Sequence, residues 1–306
     1  MSVGTPRRST PRTSPLRAGG STDILVAACL WGTTGTVRTF VPSASSLSIA
    51  ALRIVLGGLI LLVLAACTAR AAGLRELAAR RSHWAPLAAG AIAIIIYQAA
   101  FFSAAARTGV AIGTVVTLGS APAFTGLLGL VTRRSTLTGR WCLATAGAVT
   151  GCAALIGGGQ DAGADPVGIG LALLSGLSYA VYTTIASSLI TDGQEDRAVV
   201  GALFGLAALI MTPVLLWDSP GWMTSPSGAL IALYLGAVTT GGGYLLFARG
   251  LRTTPATTAT TLTLAEPAVA AVLGIIVLNE HLGPLALTGL GLLVASLLVL
   301  VAPTRR

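Results

Sequence analysis

The sequence predicts an all-α integral membrane protein of about ten transmembrane helices, arranged as two inverted five-helix repeats. Three observations carry this reading. First, the 306 residues are 54% hydrophobic and only 9% charged, with a mean hydropathy of +0.84. Soluble domains carry roughly 25% charged residues, and hydrocarbon is the solvent that tolerates so few. Second, apolar runs of about 20 residues, the length that crosses a ~30 Å membrane core, recur along the chain. Third, the halves align weakly: Arg107-Thr108 with Arg252-Thr253, Pro122 with Pro267 and Gly129 with Gly274 are each 145 positions apart.

Residues 1–22, rich in Ser, Thr, Pro and Arg, read as a disordered cytoplasmic tail. The apolar run after Arg17 has the outline of a signal peptide. Its counterpart in the second half, where Tyr179-Ala180 answers Trp31-Gly32, assigns it to the fold instead. The first repeat, 23–157, holds helices near 24–42, 46–67, 85–106, 109–131 and 141–157. A polar break follows at 158–165. The second repeat, 167–301, holds helices near 167–190, 198–216, 229–249, 255–278 and 282–301. Trp84, Trp141, Trp217 and Trp222 fall at predicted helix ends, as interfacial anchors do, whereas Trp31 lies inside the first helix.

The formal charge of +9 argues for topology rather than nucleic acid, because the basic residues, all Arg, sit mostly in short gaps between apolar runs. An odd number of helices per repeat obliges the second copy to insert upside down. The loop after helix two holds Arg70, Arg75, Arg80 and Arg81, while its counterpart at 217–228 has no basic residue. The loop at 132–140 holds Arg133, Arg134 and Arg140, against none around 279–284. Both termini are therefore expected in the cytoplasm of a bacterial cell, with the protein multi-pass in its inner membrane. The loop at 191–197 dissents, with Asp192, Glu195 and Asp196 against one Arg.

The segment 263–301, TLAEPAVAAVLGIIVLNEHLGPLALTGLGLLVASLLVLV, resembles the C-terminal hairpin of the drug/metabolite transporter superfamily, EamA type. Its Glu266-Pro267 pair sits mid-helix, Glu280 closes the helix, and a Gly-rich final helix follows. Trp31-Gly32 and Arg53 are similar to that family's first repeat, although Ser135 stands where the first half should carry a closing Glu. The resemblance covers most of 24–301. It implies ten helices in inverted repeats, a central solute cavity and alternating access, with metabolites often carried outward.

Ionisable side chains inside the bilayer point to chemistry, each costing roughly 2.5–3.5 kcal/mol on insertion scales. Two lie deep in a predicted helix: Glu266, a candidate solute-site carboxyl, and Arg53, which could equally snorkel. Glu280, at a helix end, reads as structural. Pro122 and Pro267 free the carbonyls of Leu118 and Thr263 and are candidate hinges or fixed kinks. Trp31, Tyr97, Gln98, Tyr179, Tyr182 and Tyr244 are candidate cavity-lining residues, and Ser175 and Ser178 extend a polar stripe on helix six that must face protein or water. Gly241-Gly242-Gly243 is expected to serve close packing. Gly147 and Gly151 form a G-x-x-x-G, matched by the small pair Gly291 and Ala295; both permit close helix contact, internal or between protomers, with internal contact favoured.

Soluble-enzyme motifs are missing: the chain has no Lys, and His83 and His281 stand alone. Cys29, Cys67, Cys142 and Cys152 lack metal-ligand spacing and read as packing residues. No catalytic residue, cofactor or metal is expected. The expected function is transport, with export favoured, of a small polar or amphipathic metabolite by alternating access around a midplane site. The alternative is a membrane-embedded enzyme acting on a lipid-linked substrate. Expected partners are the solute and the bilayer, with proton coupling and uncoupled exchange both open and the oligomeric state unassigned.

Overall fold

A computed structural model describes residues 18–42, 44–157, 165–218, 221–278 and 281–302. Nine helices among the described residues are long and apolar enough to cross a membrane. The tenth crossing is α1 (Ala18–Arg38), whose 21 residues reach roughly 30 Å at ~1.5 Å per residue. It opens several residues ahead of the predicted helix, and Ser21, Thr22 and Asp23 in its first turns keep its hydropathy low.

The first half continues with α2 (Ser46–Cys67), capped by Ser45 Oγ accepting from the Ser48 amide at 2.9 Å. The short α3 (Ala72–Ala79), absent from the predicted elements, lies in the Arg-rich loop and buries Leu77. Then α4 (Arg81–Val131) carries two crossings in one run, interrupted only at Gly109, where φ is +82°. The chain reverses there: a Cβ on Gly113 would sit 3.2 Å from the backbone of Ala105, a separation that a straight helix forbids. Only glycine adopts such a φ without strain. The half closes with α5 (Gly139–Gly157).

In the second half, α6 (Pro166–Thr191) starts on an Asp165 cap with Pro166 in its first turn. It is followed by α7 (Asp196–Trp217). The eighth crossing is composite: α8 (Pro226–Leu233), a nine-residue π-helix (Tyr234–Gly242), then α9 (Gly243–Leu251). The ninth is broken, α10 (Ala256–Leu262) and α11 (Ala265–Leu278) meeting at Thr263-Leu264. The chain ends in α12 (Pro284–Val301).

Packing follows a crosswise rule. Helix α1 lies against the eighth and ninth crossings, and its counterpart α6 lies against the third and fourth; α2 pairs with α7 and α5 with α12. Each half thus supplies the helices on which the other's first helix packs, as a two-fold relation between repeats requires. The α5–α12 seam holds Gly147 and Gly151 in internal contact but not Gly291 and Ala295. A Cβ on Gly151 would meet Leu293 N at 2.5 Å, and one on Gly289 would meet Leu155 N at 2.3 Å, so Gly289 is the partner glycine. Gly291 has open space around its Cβ position, and Ala295 faces outward.

The ion pairs segregate to two ends. At one end Arg134 pairs with Asp192, Arg249 with Asp23 and Arg252 with Asp196. Arg140 closes the same end by donating to the carbonyls of Val299, Leu300 and Ala302, the unsatisfied acceptors of α12. At the other end Arg107 pairs with Asp165, and Ser45 donates to Asp218. The acidic loop therefore resolves itself: Asp192 and Asp196 sit opposite arginines of neighbouring loops. Large apolar side chains such as Leu209, Ile276 and Leu298 face outward, where lipid is their solvent.

Candidate functional site

Where the crosswise bundles meet, aromatic side chains from both halves form one connected cluster. Trp31 on α1 stacks at 4.8 Å on Tyr244 and 5.5 Å on Phe247 of α9. Tyr179, the counterpart of Trp31 on α6, stacks at 5.2 Å on Tyr97 of α4. Tyr182, one turn on, meets Tyr244 at 6.0 Å and Phe204 of α7 at 5.7 Å. Phe204 and Tyr244 close the ring at 4.2 Å. Five of the six predicted lining residues are thereby brought together. Gln98 is the sixth; it is buried on α4, with no hydrogen bond or ring contact to the cluster among the described residues.

Phe204 and Phe247 were missed. Phe247 falls three residues after Tyr244 on one helical face and was legible from that spacing. Phe204 lies in a uniformly apolar run, where periodicity carries no signal.

The π-helix sets the position of Trp31. Its widened turns leave the Thr239 carbonyl to accept from Trp31 Nε1 at 2.9 Å, while Thr240 Oγ1 reaches back to the Leu235 carbonyl at 2.9 Å. The glycine triplet packs closely where the π-helix passes into α9: a Cβ on Gly243 would sit 2.6 Å from Trp31 Nε1. Arg53 on α2 donates through Nε to Thr240 Oγ1 at 3.3 Å.

Glu266 occupies the first turn of α11, just past the break, where the helix dipole favours a carboxylate. Its amide takes the Thr263 carbonyl at 3.0 Å, so the acceptor that Pro267 frees is re-used by a tightened turn. Pro122, its counterpart, lies inside an uninterrupted part of α4. Glu266, Arg53 and Tyr97 are each only partly buried and lie within electrostatic reach of one another. Glu280 lies outside the described residues.

On α6 the hydroxyls of Tyr182 and Thr183 are buried without a hydrogen-bond partner. The same helix continues through Thr184, Ser187, Ser188 and Thr191 to the Arg-rich end, where they line a cavity of about 660 Å³. A second cavity of about 1040 Å³ shares Thr191 and Arg252 with it. The residues lining these two spaces do not include the aromatic cluster, which meets the opposite side of α6. At the cavity mouth the hydrogen-bonded Arg134 guanidinium holds the Asp192 carboxyl below the usual carboxylate range, against an opposing desolvation. At the far end Arg107 does the same to Asp165, helped by the Val167 amide.

Two segments, residues 20–157 and 166–302, each match the model of the EamA-like transporter family. The uncharacterized transporter YwfM of Bacillus subtilis (strain 168) is 36% identical over 284 residues, covering 92% of this chain and 94% of its own. The threonine/homoserine exporter RhtA of Escherichia coli (strain K12) is 33% identical over 157 residues, 49% of this chain and 50% of its own. A crystal structure of a further protein superposes with a TM-score of 0.78 at 18% identity, covering 92% of this chain and 96% of that one. At that identity the likeness concerns the fold.

Proposed function

This chain belongs to the EamA-like transporter family, and from that premise we propose that it exports a small polar or amphipathic metabolite by alternating access. The proposed solute site is bordered by Trp31, Tyr97, Gln98, Tyr179, Tyr182, Tyr244 and Glu266. The observation that carries this reading is one aromatic cluster drawn from both halves, with buried unpartnered hydroxyls in it and with Arg53, bonded to Thr240, and Glu266, packed against Gly32, beside it. Such a site suits a solute with an apolar part and complementary charges. Free amino acids are one such class, and the name of the exporter RhtA points the same way.

In this mechanism the two crosswise bundles rock against each other, with the broken ninth crossing and Pro267 as the moving joint. Arg53 and Pro122 are positioning elements. Glu266 releases its proton or exchanges it for a cationic group of the solute as access alternates. Counterflow of a labelled metabolite panel, with threonine and homoserine included, in proteoliposomes tests the reading. Saturable exchange of at least one small polar solute is expected, and no exchange of any would overturn it.

We place the Arg-rich end, with both termini, on the cytoplasmic side of the inner membrane, following the basic-residue bias. Reporter fusions after Arg306 and within 217–228 should read cytoplasmic and external respectively. A cytoplasmic signal from 217–228 would refute that placement.

A further inference from the structure

The 660 Å³ cavity at the Arg-rich end is chemically one-sided. Its wall carries two guanidinium groups, Arg134 and Arg252, and no carboxylate. Most of its remaining polar surface is hydroxyl. Three of those oxygens, on Ser135, Thr184 and Thr254, are buried without a hydrogen-bond partner. Thr254 is only 2% exposed. A buried polar group left unpaired costs ~1–3 kcal/mol, so a side-chain rotation that turns these hydroxyls into the cavity is favoured once a polar occupant meets them. Each arginine has one carboxylate beside it but keeps hydrogen-bond donors to spare. Asp192 takes two N–H groups of Arg134, at 3.1 and 2.9 Å, leaving the rest of the fork. Asp196 stands 3.8 Å from Arg252, beyond hydrogen-bond distance. The volume falls within the ~300–1,000 Å³ of small-molecule sites.

We propose that this cavity is a second ligand site, distinct from the one around Glu266, which captures a small carboxylate at the Arg-rich mouth. The guanidiniums take the carboxylate, and the hydroxyls of the cavity wall, with Thr254 turned inward, take the ligand's other polar groups. Ser135 comes from the first half and Thr184 and Thr254 from the second, so the site exists only when the halves are assembled. Thr184 is two residues from Tyr182, about 200° around the helix, so α6 stands between this site and the aromatic cluster. The transport reading enters only in making this site a way station; binding is measured without transport.

The test uses the full chain with its four native cysteines changed to Ala and Ser187→Cys on the cavity wall as reporter. Its rates with a sulfonate-bearing and a trimethylammonium-bearing methanethiosulfonate are compared, each relative to a free thiol in solution. The sulfonate reagent should be favoured about ten-fold, and the pair Arg134→Gln, Arg252→Gln should bring the ratio near unity. Succinate should slow the sulfonate reagent several-fold in the parent and not in the Gln pair, with chloride at equal ionic strength ineffective. Thr254→Val should weaken succinate protection while keeping the charge preference, and Asp192→Asn should strengthen both. Equal or faster reaction with the cationic reagent, no reaction with either, or succinate protection that is absent or survives in the Gln pair would overturn the proposal. Protection by inorganic phosphate but not by succinate would overturn the carboxylate assignment. Failure of the counterflow panel leaves every one of these outcomes readable.

Discussion

The indole N–H of Trp31 donates to the Thr239 carbonyl at 2.9 Å, tying the first crossing to the π-helical stretch of the eighth. The bond spans 208 positions of sequence and fixes the face that the indole turns to Tyr244 and Phe247. It is also the most exacting contact of the candidate solute site, because Gly243 leaves no room for a side chain against Trp31.

Gly243→Ala should therefore lower solute affinity and destabilise the protein by about 1–3 kcal/mol, the usual range for overpacking. Trp31→Phe keeps most of the aromatic surface but leaves the Thr239 carbonyl without its donor, and should cost about 1 kcal/mol. Thermal unfolding in detergent, paired with counterflow at several solute concentrations, reads both. Wild-type stability and affinity in Gly243→Ala would show that Trp31 shifts freely.

Glu266→Gln keeps volume and hydrogen bonding but removes the titratable proton. Transport should fall at least about ten-fold if the carboxyl acts in the cycle, and its pH dependence should vanish. Rates across pH at matched membrane levels decide the matter. A structural carboxyl would leave the pH profile unchanged and alter only expression or thermal stability.

The two mid-helix prolines should not behave alike. Pro267 follows the break between α10 and α11, whereas Pro122 sits in continuous helix. Pro267→Ala should slow turnover several-fold with little change in affinity, and Pro122→Ala should have the smaller effect. Equal slowing by both would restore a symmetric pair of hinges.

Arg134 depresses the Asp192 carboxyl, so this tie is fully present above the ordinary carboxylate value of about 3.9 and is lost as pH falls through the lower folded-state value. Both side chains are about half exposed, 48% and 56%, so solvent screening keeps the tie below about 1 kcal/mol. Asp192→Asn should lower the unfolding midpoint slightly at pH 7, and the difference should shrink toward pH 3. A constant difference across that range would assign the effect to packing.

Much of this protein is written in composition and local pattern. Apolar run length marks the crossings, because a bilayer core of fixed thickness asks the same of every helix. Gly109 and Asp165-Pro166 mark a reversal and a helix start, because φ > 0 and an N-cap are demands on single residues. Glu266 and Arg53 stand out because charge in hydrocarbon is costly wherever it occurs. Tertiary structure alone decided the rest. Gly289 rather than Gly291 meets Gly151, since helix rotation is set by a partner and not by the helix itself. Phe204 joins Tyr244 because α2 holds α7 against the cluster. Thr239 turns its carbonyl to Trp31 because the eighth crossing widens into a π-helix between glycines and the indole. Two of the three dissenting acids of the 191–197 loop, which sequence could only count, turn out to face Arg134 and Arg252. Those pairings join residues far apart along the chain, and only the packing of the two halves brings them within reach.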